Sequence, residues 1–419
     1  MTQLAIHGGH RTINPEEASF VWPRITTETE RIVLNQLHDT ISIYDNSNIF
    51  GRFEDKFAKY HKRQYGLLSN SGTSSILAMF EAIELMSGDE VLCPVYTFHA
   101  TVSPIMYMGA FPVFCDSDNT GNISLTEIKK RRTSKTKAVI VTHMWGNPAA
   151  DIQSIADYCK FEGLFLLEDC SHAHGAEING QKVGSFGDIA AWSLQGQKII
   201  TGGEGGILLT SNKSLYNRAL LHGHYNKRPL KEIPKDDPMQ EFYLTGFGLK
   251  LRAHPIAVAI AEQQFDQLDS FLLNKYRYAK QFNDAFSKYP FLKTPYMNGY
   301  SKPSWYAYGL QFISEEAFGI SREDFVSALQ AEGLVEVDIP GSTGLLNDLP
   351  LFIQPNIILP RMYNHALQPQ SGYSNAQLFY DRLIKIPVWA YEDDTDVVSA
   401  YIDGIIKVSD YIVAHKSLK

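Results

Sequence analysis

Between residues 65 and 210 the chain alternates short apolar runs with stretches of helical periodicity, and this rhythm limits the possible folds more than any other feature. Residues 65–68, 90–93, 111–115, 136–142, 164–168, 189–193 and 206–210 read as strands; 74–86, 100–108 and 152–162 read as helices. Repeated β-α-β order with unbroken apolar strands predicts an α/β fold whose mostly parallel sheet is covered on both faces. Ligands of such sheets bind beyond the carboxyl ends of the strands. That rule places SNSGTSS (69–75), PVYTFHAT (94–101), EDCSHAHG (168–175) and SLQGQK (193–198) on one rim.

The flanks read differently. Residues 1–25 are irregular, 27–37 and 53–60 are helical, and 45–51 (DNSNIFG) is a loop. The polar, proline-bearing segment 222–247 reads as a loop that can act as a lid or contact arm, and 363–372 as another loop. A long helical stretch over 255–289 leads to a strand at 307–313 and helices at 322–332 and 395–408, which together predict a smaller α/β domain. With 419 residues, 44% of them hydrophobic, the chain can bury a large core and divides more naturally into two domains than one.

Charge narrows the partners. A net charge of -8 supports neither nucleic-acid nor anionic-membrane binding. No run approaches the roughly 18 apolar residues of a membrane span. MTQLAIHGGHRT has no basic region followed by an apolar run, so no signal peptide is expected. Cys93, Cys115, Cys159 and Cys170 lack CxxC spacing, which points away from a zinc site and towards buried thiols in a reducing compartment, the cytoplasm.

The chemistry concentrates at GDIAAWSLQGQKIITGGEGG (187–206). Lys198 stands between an apolar strand and a glycine-rich loop that permits close backbone approach. It is either a surface lysine beside a tight turn or a desolvated amine able to hold an aldehyde cofactor as a Schiff base. Four rim features fit one flat, phosphorylated heterocyclic aldehyde, pyridoxal 5'-phosphate (PLP). In SGTSS the N–H groups of Thr73 and Ser74 open a helix and suit a phosphate, although hydroxyls there are also ordinary caps. Asp169 can pair with a pyridinium nitrogen or be a solvated strand-end acid, and His172 can touch the ring hydroxyl, stack, or be structural. Phe98 can stack on the ring or pack in the core. Ser193, five residues before Lys198, can bind phosphate or simply end its strand.

In their order and spacing these segments resemble the sugar-aminotransferase family of fold-type I PLP enzymes, the DegT/DnrJ/StrS type. The likeness runs from about Phe53 to the C-terminus through GRFEDKFAKY, NSGTSSI, PVYTFHAT, FPVFCD, VTHMWGNPAADI, LLEDCSHAHGA, GSFGDIAAWS and KIITGGEGG. It implies a large PLP-binding domain over 1–265, with a mostly parallel seven-stranded sheet and an N-terminal arm, and a small C-terminal α/β domain over 266–419. It also implies that Lys198 carries the cofactor and moves the proton, and that Asp169 pairs with the ring nitrogen. Phe98 then stacks, His172 lies near the ring oxygen, and Thr73, Ser74 and Ser193 hold the phosphate. A homodimer with a shared site is implied, transferring an amino group from L-glutamate or L-glutamine to a keto-sugar or cyclitol ketone.

Three features depart from the family. Where it has asparagine in G-Y-N-Y-R this chain has Lys250, which can serve a phosphate or a substrate acid. Gln195 replaces a commoner Asn or His, and a C-terminal histidine near Y-P has no match. LAIHGG followed by Trp22 and Pro23 resembles the branch that aminates cyclitol ketones. A sugar dehydratase is the runner-up, disfavoured because such members replace the lysine with histidine. A non-catalytic regulatory homologue is disfavoured because Lys198 and Asp169 are both present.

Overall fold

The computed structural model describes residues 3–297 and 299–418. Its centre is a seven-stranded sheet made of β1 (Tyr65–Ser69), β2 (Glu90–Pro94), β3 (Phe111–Cys115), β4 (Thr136–Thr142), β5 (Phe165–Asp169), β6 (Ile189–Ser193) and β7 (Gly206–Thr210). The spatial order is β1-β7-β6-β5-β4-β2-β3. β6, β5, β4, β2 and β3 are mutually parallel, while β7 runs antiparallel to both its neighbours. The strands are buried on both faces because they are largely apolar, as in IAAWS and GILLT, and FLLED carries its two acids only at its end. β7 reverses because the segment between it and β6 contains no helix, and parallel strands need a crossover, usually helical.

One row of the sheet sets up the rim. Ser69 at the end of β1, Gly206 at the start of β7 and Ser193 at the end of β6 are register partners. A Cβ at Gly206 would lie 2.3 Å from the Ser71 carbonyl oxygen, so only glycine lets β7 begin beside the SGTSS turn.

A second core surrounds a small antiparallel sheet of Leu292–Lys293, Ala307–Phe312 and Leu383–Pro387, covered by helices that include Leu268–Phe286, Arg322–Ala331 and Thr395–His415. Leu4, Ile13 and Ala18 bury into this second core, so the first residues of the chain pack with its C-terminal part. In the other direction, Thr343–Leu345 pairs with Tyr96–Phe98, and Leu346, Phe352, Tyr363 and Phe379 join the first core. A single cut at 265/266 therefore does not separate the two cores.

Some local expectations change. The 255–289 stretch is two helices, Pro255–Phe265 and Leu268–Phe286. Helix Asn48–Tyr60 starts inside the expected 45–51 loop. Segment 222–247 holds a helix, Lys227–Glu232, and a 3-10 turn, Pro238–Phe242. Its sequence is polar, but Arg228 is fully buried, donating to both carboxylate oxygens of Glu54 (2.9 and 2.6 Å) and to Glu232 (2.8 Å). Among the described residues no helix is long and apolar enough to cross a membrane.

Candidate active site

A cavity of about 430 Å³ opens beyond the carboxyl ends of the parallel strands, within the size range of small-molecule sites. Ser71, Thr73, Phe98, Asp169, His172, Ser193 and Lys198 all line it, as do Asp338, Thr343 and Lys385 from the C-terminal half.

Lys198 follows β6 on a turn whose backbone N–H donates to the Gln195 carbonyl at 2.8 Å. Its Nζ lies 4.8 Å from the centroid of the Tyr306 ring. Burial lowers its pKa to about 8, against the opposing pull of the Asp169 charge.

Asp169 is buried at the end of β5. Its Oδ2 accepts from Thr101 Oγ1 at 2.7 Å and its Oδ1 from the Ser171 N–H at 3.0 Å. Two accepted bonds leave the carboxylate with free lone pairs. The preceding Glu168 points to the other face, where the N–H groups of Gly184, Phe186 and Gly187 donate to it at 2.6–2.8 Å. His143 Nδ1 accepts from the Ala149 N–H, so its Nε2 carries the proton and donates to Glu168 at 3.2 Å. Burial pushes the Glu168 carboxyl up, but these donors hold it below its ordinary value. Glu168 thereby ties the loop before β6 to the strand that carries Asp169.

His172 stacks on Tyr306 (centroids 4.0 Å apart, planes 9° apart), and burial followed by the nearby Lys198 charge holds its pKa well below the usual histidine value. Phe98 keeps 40% of its surface open, so its ring is free to meet a ligand, while pairing of Phe98 with Thr343 holds its backbone. Ser71 is the N-cap of helix Gly72–Ala82: its Oγ accepts from the Ser74 N–H at 3.1 Å. Ser74 is thus engaged by the cap and does not line the cavity, whereas Thr73 does. A Cβ at Gly72 would lie 2.7 Å from the Ser193 Cβ, so glycine brings this helix end against the end of β6.

Lys250 is exposed and lies outside this cavity. Its neighbour Leu251 accepts from the Asn70 N–H at 2.8 Å, which fixes the segment beside the SGTSS turn. Thr101, Trp145, Tyr306, Asp338 and Lys385 were not singled out from the sequence. Thr101 lay inside the PVYTFHAT segment and Trp145 inside VTHMWGNPAADI, but Tyr306, Asp338 and Lys385 depend on long-range folding.

The fold and the cavity define an α/β enzyme architecture with a desolvated lysine and a carboxylate facing one pocket. A profile of the DegT/DnrJ/EryC1/StrS aminotransferase family matches residues 27–401. The chain belongs to that family. GDP-perosamine synthase of Escherichia coli O157:H7 is 36% identical over 250 residues, 59% of this chain and 66% of that protein. A putative L-glutamine:3-amino-2,3-dideoxy-scyllo-inosose aminotransferase of Micromonospora echinospora is 30% identical over 377 residues, 87% of each chain. The solved aminotransferase from Psychrobacter cryohalolentis superposes with a TM-score of 0.82 at 23% identity, over 94% of this chain and 99% of that one, and shares the fold.

Proposed function

We propose that this protein is a PLP-dependent aminotransferase that moves an amino group from L-glutamine or L-glutamate to the ketone of a sugar or cyclitol. The observation that carries the reading is Lys198, an amine with a pKa lowered to about 8, in one cavity with Asp169.

The donor set fits the cofactor. The first turn of helix Gly72–Ala82 offers unpaired N–H groups, with the hydroxyls of Ser71, Thr73 and Ser193 around the same corner, a chemistry suited to a phosphate. Asp169 has lone pairs left for a ring N–H, and Phe98 has an open face for the ring. When bound, PLP supplies an aldehyde carbon and an electron sink. Lys198 would hold the aldehyde; once displaced by the donor amine, its Nζ would move the α-proton from the amino acid to the cofactor carbon, and in the second half-reaction from that carbon to the carbon of the acceptor ketone. Asp169 would keep the ring nitrogen protonated, and neutral His172 would serve the ring hydroxyl.

We also place this chemistry in a homodimer in which Lys250 serves the partner's site. Support comes from the exposed Phe242, Leu244, Phe247 and Leu249, an apolar run beside Lys250 that suits a covered surface. The acceptor follows from the relatives, one named for a perosamine and one for a scyllo-inosose derivative. The test is transfer of label: the enzyme is incubated with L-[α-15N]glutamine and either scyllo-inosose or a nucleotide-linked 4-keto-sugar. Labelled amine in one product supports the reading. Release of pyruvate-like or deoxygenated products without nitrogen transfer contradicts it.

A further inference from the structure

An amino-acid donor brings an α-carboxylate into the cavity, and that charge needs a cation or a set of donors. Among the described lining residues only two carry an ammonium or guanidinium group, Lys198 and Lys385. Lys198 is committed to the cofactor and the proton. His172 and Tyr306 are stacked on each other, and His172 is held neutral by burial.

Lys385 is placed by simple strand alternation. In Leu383–Pro387 the side chains of Ile384 and Ile386 bury into the second core, so Lys385 projects from the opposite face, towards the first. Asp338 is bridged to it by reciprocal backbone hydrogen bonds of 3.1 and 2.8 Å, and Lys385 Nζ donates to Asp338 Oδ2 at 3.1 Å. The pair is not saturated. Asp338 Oδ1 is buried without a hydrogen-bond partner, and Nζ has only the one carboxylate oxygen, leaving two of its three donors unused. The two side chains keep 32% and 47% of their surface open, so the free donors of Nζ are accessible to a ligand in the cavity. The Lys385 charge is also close enough to act on His172, which places it beside the ring site.

We propose that Lys385 is the binding group for the α-carboxylate of the amino donor, with Asp338 as its resting partner when a carboxylate-free acceptor occupies the cavity. The inference rests on the aminotransferase reading above. It makes one side chain serve two unlike substrates: Lys385 turns to the donor acid, then back to Asp338 when the carboxylate-free acceptor ketone enters.

The test uses holoenzyme and three probes. 2-Methylalanine has an α-carboxylate but no α-proton, so its binding is read from the visible spectrum without turnover. L-Glutamine and 4-aminobutanamide, its analogue lacking the carboxylate, report on the donor half-reaction. Lys385→Met is expected to raise the Kd of 2-methylalanine and the KM of L-glutamine about 10- to 100-fold, the worth of a charged hydrogen bond. It should leave 4-aminobutanamide unaffected, and Lys385→Arg should restore most of the loss. Asp338→Asn, which frees the lysine, should tighten 2-methylalanine binding. Unchanged affinity for 2-methylalanine in Lys385→Met, or an equal loss for 4-aminobutanamide, overturns the assignment while the aminotransferase reading stands. A wild-type holoenzyme whose spectrum responds to no α-amino acid overturns both.

Discussion

Trp22 Nε1 donates a 2.8 Å hydrogen bond to the backbone carbonyl of Lys198. The indole is itself wedged against Phe271 and Tyr391, with ring centroids 5.2 and 5.7 Å away. A residue of the N-terminal arm thereby connects the turn that carries the reactive lysine to the helix and loop of the C-terminal half. Trp22→Phe keeps most of the ring contacts and removes the donor. The expected stability loss is about 0.5–1.5 kcal/mol, read from the urea midpoint. Because the bond holds the lysine's own backbone, kcat should fall further than a stability loss of that size explains, with the donor KM little changed.

The lowered pKa of Lys198 sets a pH profile. Only the neutral amine attacks an aldehyde, so capture of PLP by the apoenzyme should rise about tenfold per pH unit below about pH 8 and level off above it. The Asp169 charge raises the Lys198 pKa, so Asp169→Asn should move the midpoint downwards. Rapid-mixing absorbance across pH 6–10 measures both.

The buried Arg228 keeps its charge because Glu54 and Glu232 face it. Glu54→Gln removes the two-pronged partner and leaves Glu232 alone against the buried charge, and should destabilise the fold by about 3–5 kcal/mol. The double variant Glu54→Leu/Arg228→Met should lose much less than the sum of Glu54→Leu alone and Arg228→Met alone. Equilibrium denaturation of the four proteins completes the cycle.

His61 and His174 are buried, and burial pushes both pKa values down from 6.5 to about 3. At neutral pH both are uncharged in either state. Below pH 6.5 the unfolded chain takes up protons that the folded chain refuses, so stability falls as pH drops towards 3. Each histidine contributes a slope of about 1.4 kcal/mol per pH unit in that window. In His61→Leu the loss between pH 6 and 4.5 should be shallower by about one proton, which urea titrations at the two pH values resolve.

How far the sequence reveals this structure depends on how local each signal is. Phe111–Cys115, Thr136–Thr142, Ile189–Ser193 and Gly206–Thr210 match the expected strands to the residue, because apolar runs buried on both faces end abruptly at polar turns. The rim residues Thr73, Phe98, Asp169, His172, Ser193 and Lys198 meet in one cavity because strand ends share a rim by topology. Ser74 was less legible, since Ser71 three residues earlier takes its N–H. Arg228 lay unremarked in the polar 222–247 segment because its partner Glu54 is 174 residues away. Lys385 and Asp338 gave no signal either. A lysine in the middle of a strand ordinarily marks a solvent face, and only the packing of two cores turns that face into a cavity wall. The arm residues Leu4, Ile13 and Ala18 are too widely spaced to show a period, so their burial in the second core follows from the tertiary fold alone.

The most direct test of the central claim is the visible absorption spectrum of the purified protein with PLP, before and after L-glutamine or L-glutamate. The account predicts a band near about 400 nm that a donor moves to about 330 nm, and that Lys198→Ala abolishes the donor-driven change. A wild-type protein that shows no band after addition of PLP, or a Lys198→Ala variant that responds to donor as the wild type does, would contradict it.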